Sequence, residues 1–168
     1  MLLLMELFDH IGYNGPLILI FLSSVFLRNK RKMLFIYWLG SFINMLINYL
    51  LKIGIKEPRP VEDNVSIEWT NKRTDIDQYG MPSGHAQSVF FSCTFVYCVL
   101  KDINLLLLFL VIAINTFKQR YDYKNHTINQ LIVGTILGVI VGYLFYYIGT
   151  MYLSDKCVGK TNENIWYF

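Results

Sequence analysis

Tyr79-Gly80-Met81-Pro82-Ser83-Gly84-His85-Ala86-Gln87 stands where a polar loop gives way to an apolar run. Each residue suits the opening of a helix. Pro82 lies just outside it, and Ser83 is a good N-cap, its hydroxyl oxygen able to hold a first-turn N–H. Gly84 removes the side chain that would keep a ligand off the backbone. Unpaired N–H groups and the positive end of the helix dipole then make an anion site, with His85 projecting from the first turn. Ser-Gly-His alone also fits an ordinary capped helix with a surface histidine, so its meaning rests on the rest of the chain.

The rest of the chain is apolar. Of 168 residues, 54% are hydrophobic and 16% charged, too little charge to solvate the surface of a soluble domain of this size. One domain, residues 1–168, is expected. The net charge of +3 comes from scattered basic residues, which excludes a nucleic-acid footprint. Cys93, Cys98 and Cys157 form no metal spacing, and two of them fall within an apolar run that favours buried free thiols. The first residues lack a basic n-region, so no cleaved signal peptide is expected. The fold class that follows is all-α: a multi-pass transmembrane helical bundle.

Taken in order, residues 1–10 read as a short interfacial helix and 11–27 as a first span, with Gly15-Pro16 near its start. The densest basic stretch, residues 28–32, precedes a second span over 33–55. Within that span Gly40, Asn44, Asn48 and Lys52 recur at every fourth position and share one face. Polar groups in a span face the bundle interior, so Lys52 points inward at the helix end. Residues 56–82 form the one long polar loop. A third span covers 83–100, with Ser88 and Ser92 as small packing positions, and Lys101-Asp102 makes a tight turn. A fourth covers 103–117 and a fifth 127–153, followed by a polar tail over 154–168, making about five spans. In the fifth, Gly134, Gly138 and Gly142 form a ladder that admits a close neighbour. His126 and Gln130 continue the same row toward the bundle interior.

Counting spans places Lys52, Arg59, Ser83-Gly84-His85, Arg120 and His126 at one membrane surface. Leaving out Lys52, the basic residues split seven and seven between the two sides, so a raw count does not orient the chain. The 28–32 cluster abuts two spans, whereas Arg59 and Arg120 belong to the site. Orientation therefore follows the cluster: cluster in the cytoplasm, site outside or in the lumen. Two arginines, a lysine and a helix N-terminus suit a phosphate, and two histidines add a nucleophile and an acid. Phosphoryl transfer asks mainly for positioning and neutralisation of oxygen charge. No Asp/Glu cluster of metal-ligand type accompanies them, so a metal-free, cofactor-free route through phosphohistidine is expected.

These residues resemble the type 2 phosphatidic acid phosphatase superfamily. Its first motif, lysine, six residues, then Arg-Pro, matches Lys52 to Arg59-Pro60, and its second is Pro82-Ser83-Gly84-His85. The third, Ser-Arg, five residues, His, three residues, Asp, reads here as Gln119-Arg120, His126 and Gln130. The resemblance implies that Lys52, Arg59 and Arg120 hold phosphate oxygens, assisted by Ser83 and the Gly84 N–H. His126 would attack phosphorus, and His85 would protonate the leaving oxygen. Gln119 departs from the motif serine, and Gln130 from the aspartate that orients the nucleophile. A neutral amide can fix the ring tautomer but stabilises an imidazolium less than a carboxylate does.

Residues 56–60, residues 79–83, and His126-Thr127 followed by Gln130 and Gly134 resemble the dolichyl-diphosphatase branch, although that branch usually reads Ser-Ser-His where this chain keeps Gly84. The implied activity is hydrolysis of a polyisoprenyl diphosphate to the monophosphate at a membrane. The site would be luminal in an endoplasmic reticulum or external on a bacterial cytoplasmic membrane. The implied partners are a lipid phosphate substrate and the bilayer, with no nucleic acid. The alternatives are a phosphatidate or undecaprenyl-diphosphate phosphatase and, outside enzymes, an inactive lipid-binding membrane protein. Soluble haloperoxidases share the motif set, but this chain is too apolar for them. Two glycosylation sequons occur, Asn64-Val65-Ser66 and Asn125-His126-Thr127, and no glycan is expected on Asn125 beside the nucleophile.

Overall fold

The computed structural model describes residues 2–63 and 75–158; the Asn64-Val65-Ser66 sequon lies outside them. Its helices are α1 (Leu2–Tyr13), α2 (Gly15–Phe26), α3 (Arg31–Ile55), α4 (Gly84–Leu100), α5 (Ile103–Asp122) and α6 (Ile128–Val158). A 3-10 turn, Asp75–Gln78, precedes α4. Besides these, an isolated antiparallel bridge joins Pro58 to Tyr79. The fold is an all-α bundle. Among the described residues, three helices are long and apolar enough to cross a membrane: α3, α5 and α6 through Tyr152; α2 and α4 are shorter apolar helices.

Helix α4 is the hub, packing against α2, α3, α5 and α6. It is apolar nearly all round, the pattern of a helix enclosed by others. Phe91 and Phe95 of α4 and Tyr37 of α3 form one aromatic cluster, with ring centroids 5.5–6.0 Å apart. The Tyr37 hydroxyl is satisfied by Ser92 Oγ at 2.8 Å. Such pairs add roughly 0.5–1.5 kcal/mol each beyond the area they bury. Outward-facing Phe35, Trp38, Phe42, Ile136, Ile140 and Tyr143 are exposed on the bundle. An apolar belt of this kind suits lipid.

Two devices set how α4 meets its neighbours. Toward α6, the ladder of Gly134, Gly138 and Gly142 lies directly on the α4 backbone. A Cβ on Gly138 would stand 2.2 Å from the Gln87 carbonyl oxygen. Toward α3, Gln87 is fully buried and donates to the Asn44 carbonyl and Asn44 Oδ1, both at 2.9 Å. Its Oε1 accepts from Asn48 Nδ2 at 2.8 Å, and Asn48 Nδ2 also reaches the Pro82 carbonyl. The every-fourth-residue row of α3 thus faces inward, with Gly40, Asn44 and Lys52 buried.

Element boundaries differ from the apolar runs at three places. The break after the N-terminal helix falls at Asn14, not at residue 10, because Pro16 sits in the first turn of α2 and has no N–H to give. Helix α5 continues past the apolar run at 117 to Asp122, helped by a Lys118–Asp122 pair one turn apart. Helix α6 likewise extends beyond 153 to Val158. Helix continuation depends on backbone bonding, whereas the apolar run marks only where lipid contact ends.

Candidate active site

Four helix ends meet at one end of the bundle: the C-termini of α3 and α5 and the N-termini of α4 and α6. The N-terminus of α4 forms as its sequence dictates, with Ser83 extended and its Oγ accepting from Ala86 N–H at 3.5 Å. Lys52, Ser83, Arg120, His126 and Gln130 are buried there, and the Arg59 side chain is only 6% exposed. So many buried polar and charged groups at one helix junction are costly unless they are paired.

The pairing is specific. Arg59 Nε donates to the Asp77 carbonyl at 2.7 Å and Nη2 to Asp77 Oδ1 at 2.9 Å. The same Asp77 oxygen lies 3.9 Å from Lys52 Nζ, so one carboxylate bridges both cations. Arg59 Nη1 donates to the Asn125 carbonyl at 2.8 Å and meets His126 Nε2 at 3.1 Å. Asn125, itself buried, donates from Nδ2 to Asp63 at 2.7 Å. Arg120, in the last turn of α5, stacks over the Tyr13 ring at 5.5 Å. The other side of the site is closed by the same tyrosine, whose ring lies 5.8 Å from that of half-buried His85.

Gln130 is the joint of the site. Its Oε1 accepts from the Thr127 N–H at 3.2 Å while Thr127 Oγ1 accepts from the Gln130 N–H at 3.2 Å, a reciprocal capping box opening α6. Its Nε2 donates to the Pro58 carbonyl at 2.9 Å and to Glu57 Oε1 at 2.8 Å. A backbone N–H on one side and a backbone C=O on the other fix which amide atom is which. Oε1 therefore faces His126 Nδ1 at 3.2 Å as an acceptor, and Nδ1 carries the proton. Arg59 can only donate, so Nε2 presents its lone pair to the guanidinium. Both neighbours impose the same tautomer, a neutral ring with its proton on Nδ1 and its lone pair on Nε2. Burial first, then the charges of Arg59, Arg120, Lys52 and His85, hold the His126 pKa well below the ordinary histidine value.

The loop strand is held to this joint without slack. The Gly80 N–H donates to the Glu57 carbonyl at 2.8 Å, and the Ser83 N–H to the Gln130 carbonyl at 3.1 Å. A Cβ on Gly80 would fall 2.3 Å from Gln130 Oε1, so only glycine lets the loop pass over the amide. Of the residues expected at the site, Lys52, Arg59, Ser83, His126 and Gln130 are linked through these contacts, and Arg120 and His85 both lie against Tyr13. Asp77, Glu57, Asn125 and Tyr13 were not expected there. Only the capping box had a local signal, Thr127 followed three residues later by Gln130. Gln119 is buried against Gly12 of α1, close to where a glycine Cβ would project.

Asp77 lies on Arg59 and near Lys52, where it would compete with any anion for the two cations. Asp77→Asn is expected to tighten orthovanadate inhibition about two- to fivefold, the worth of removing one exposed carboxylate from an ion pair. An inhibition constant unchanged or weakened by the substitution would show that Asp77 does not compete for the cradle.

The chain is 31% identical over 142 residues to a dolichyldiphosphatase of Saccharomyces cerevisiae, covering 79% of this chain and 58% of that protein. It is 31% identical over 121 residues to dolichyldiphosphatase 1 of Dictyostelium discoideum, covering 65% and 49%. With the chloroplastic lipid phosphate phosphatase epsilon 1 of Arabidopsis thaliana it shares 30% over 135 residues, covering 76% and 44%. The chain thus spans roughly half the length of these relatives. No solved structure gives a significant match. The PAP2 superfamily profile matches residues 29–153, which take in α3 to most of α6 and every motif residue at the helix junction, and the chain belongs to that superfamily.

Proposed function

We propose that this chain is a membrane-bound lipid phosphatase that hydrolyses a polyisoprenyl, dolichyl-type diphosphate to the monophosphate through a phosphohistidine. The observation that carries the reading is the fixed lone pair of His126 Nε2 against Arg59, in a junction that also holds Lys52 and Arg120. Two relatives named dolichyldiphosphatase support the substrate class.

The steps follow from the roles. Lys52, Arg59 and Arg120, with Ser83 and the Gly84 N–H, neutralise the oxygens of the terminal phosphoryl group. The His126 Nε2 lone pair attacks phosphorus, and the bridging P–O bond breaks toward the lipid monophosphate. His85 supplies a proton to the leaving oxygen where one is needed. Water then attacks the phosphohistidine with His85 as base, releasing inorganic phosphate and restoring His126. One water is consumed overall. A cavity of ≈ 280 Å³ beside His85 is lined by Tyr13, Asn48 and Gly84 together with the apolar Leu17 and Met45. Both apolar residues are exposed on the bundle surface, which suits a lipid chain leaving from His85 toward the bilayer.

Orientation belongs to the same proposal. Counting α2 and α4 as spans gives five passes. The basic stretch 28–32 and Lys52 lie toward opposite ends of α3, whose 25 residues span about 37 Å. With the basic end cytoplasmic, the site faces the lumen or the exterior.

A second reading, a broader lipid monoester phosphatase, is favoured by the similarity to lipid phosphate phosphatase epsilon 1. Phosphate release by purified protein from a panel of lipid mono- and diphosphates in EDTA decides between them. The expected result is chelator-resistant release with a preference for polyisoprenyl diphosphate. Preference for phosphatidate would select the second reading, and release restored only by added magnesium would overturn the metal-free route.

A further inference from the structure

A histidine that takes up a phosphoryl group at Nε2 keeps its Nδ1 proton and becomes cationic. The group beside that proton decides how well the charge is tolerated. Here it is Gln130, a neutral amide. The amide is not the end of the chain of hydrogen bonds. Its Oε1 accepts a hydrogen bond from His126 Nδ1 at 3.2 Å, and its Nε2 donates to Glu57 Oε1 at 2.8 Å. Glu57 is half-buried at the end of α3, in the short segment whose backbone also receives the Gly80 N–H and the Gln130 amide. A carboxamide polarised by a carboxylate at its N–H end presents a more negative oxygen at the other.

We propose, resting on the phosphohistidine reading above, that Glu57 is a positioning residue supplying the negative end of a His126–Gln130–Glu57 hydrogen-bond chain. The amide moves the charge one residue back from the ring, so the orienting function and the charge sit on different side chains. The geometry also explains why position 130 holds an amide. A carboxylate there would set two acceptors, Glu57 Oε1 and the Pro58 carbonyl, against an oxygen with no proton to give.

Among the described residues, four charged or titratable groups bear on His126. Arg59 bears on it from the segment after α3, Lys52 from α3, Arg120 from α5 and His85 from α4. Asp77 is held on Arg59, and Asp63 reaches the neighbouring Asn125. The cations disfavour an imidazolium, and Glu57 is the carboxylate that reaches the ring's proton through a single side chain.

Glu57→Gln keeps an oxygen able to accept from Gln130 and removes only the charge. It is expected to lower kcat roughly tenfold, the order of one charge acting through a partly buried path, with KM changed less than twofold. The acid limb of kcat/KM should move to lower pH, because the imidazolium loses a stabilising charge. Glu57→Asp should recover most of the rate. Gln130→Glu alone should be poorly active, and Gln130→Glu combined with Glu57→Gln should exceed it by restoring a donor opposite the carboxylate. Unchanged kcat and pH limb in Glu57→Gln, or a double variant no better than the single one, would overturn the proposal. Nitrogen-15 imidazole spectra of His126 provide a readout independent of turnover. They should show an Nδ1–H tautomer whose titration moves to lower pH in Glu57→Gln, and an unmoved titration would overturn the chain even if the protein cleaves no lipid phosphate. Wild-type protein inactive on every lipid phosphate, with the titration shifted as expected, would instead refute the enzymatic reading and leave the chain standing.

Discussion

His126→Ala is expected to abolish phosphate release from every lipid phosphate, by roughly five to six orders of magnitude in kcat, the scale seen when a covalent nucleophile is removed. The imidazole is held from both of its nitrogens, with one lone pair turned toward a site cation. Nε2 meets Arg59 at 3.1 Å while Nδ1 is tied to Gln130 at 3.2 Å. Rapid quenching into alkali, where phosphohistidine survives, should trap labelled phosphate on the wild-type protein and none on the variant. A phosphoenzyme persisting in His126→Ala would place the nucleophile elsewhere. His85→Ala should be milder on diphosphates than on monoesters, since a lipid monophosphate leaves without a proton more readily than an alkoxide does. The sign of the pH dependence follows from burial and four neighbouring cationic or ionisable groups. They depress the His126 pKa, so the reactive neutral ring persists as pH falls through the ordinary histidine range. The acid limb of kcat/KM should therefore lie below about pH 6.5, the usual histidine value.

Gly138→Leu is expected to cost about 3 kcal/mol or more of stability, at the upper end of overpacking penalties. The first added carbon would already lie 2.2 Å from the Gln87 carbonyl oxygen, a backbone atom that cannot swing aside. Helices α4 and α6 would have to separate, and the Ser83–Gln130 backbone bond at their site end would open with them. Thermal unfolding in detergent should show Tm lowered by roughly 6–12 °C for a chain of this size. Gly54→Ala is the matched control, because nothing lies within 4 Å of its Cβ position. Equal Tm for Gly138→Leu and wild type would mean that the ladder is not a tight seam.

Helical period alone was enough to place Lys52 and Gln130 in the interior, because each continues a row of small or amide side chains at every fourth residue. The N-terminus of α4 was legible for a similar reason: Pro82, Ser83 and Gly84 act through local geometry. Helix ends were harder, since α5 runs five residues past its apolar stretch on backbone bonding and a surface ion pair. The contacts of Tyr13 and Glu57 were not legible. Glu57 lies 73 residues before Gln130, and no local pattern joins them. Tyr13 lies outside the span matched by the family profile and reaches Arg120 only because α1 docks on α5. Gln130 shows the divide within one residue: its capping box is written four residues long, and its partners Glu57 and Pro58 come from another segment.

The amides joining Asn44, Asn48 and Gln87 bear on how the protein meets membranes of different thickness. Sliding α3 past α4 by one turn, about 5.4 Å, would be the cheapest way to shorten or lengthen the bundle. That movement would break three side-chain amide hydrogen bonds at once, two of them buried, and hydrocarbon offers no replacement partners. Strain from a thin or thick bilayer is then taken up by lipid packing and by the outward aromatic side chains. Lys52, two turns beyond Asn44 on the same row, keeps its height relative to His85 whatever the host membrane, and turnover should vary little with acyl-chain length until the bundle itself comes apart.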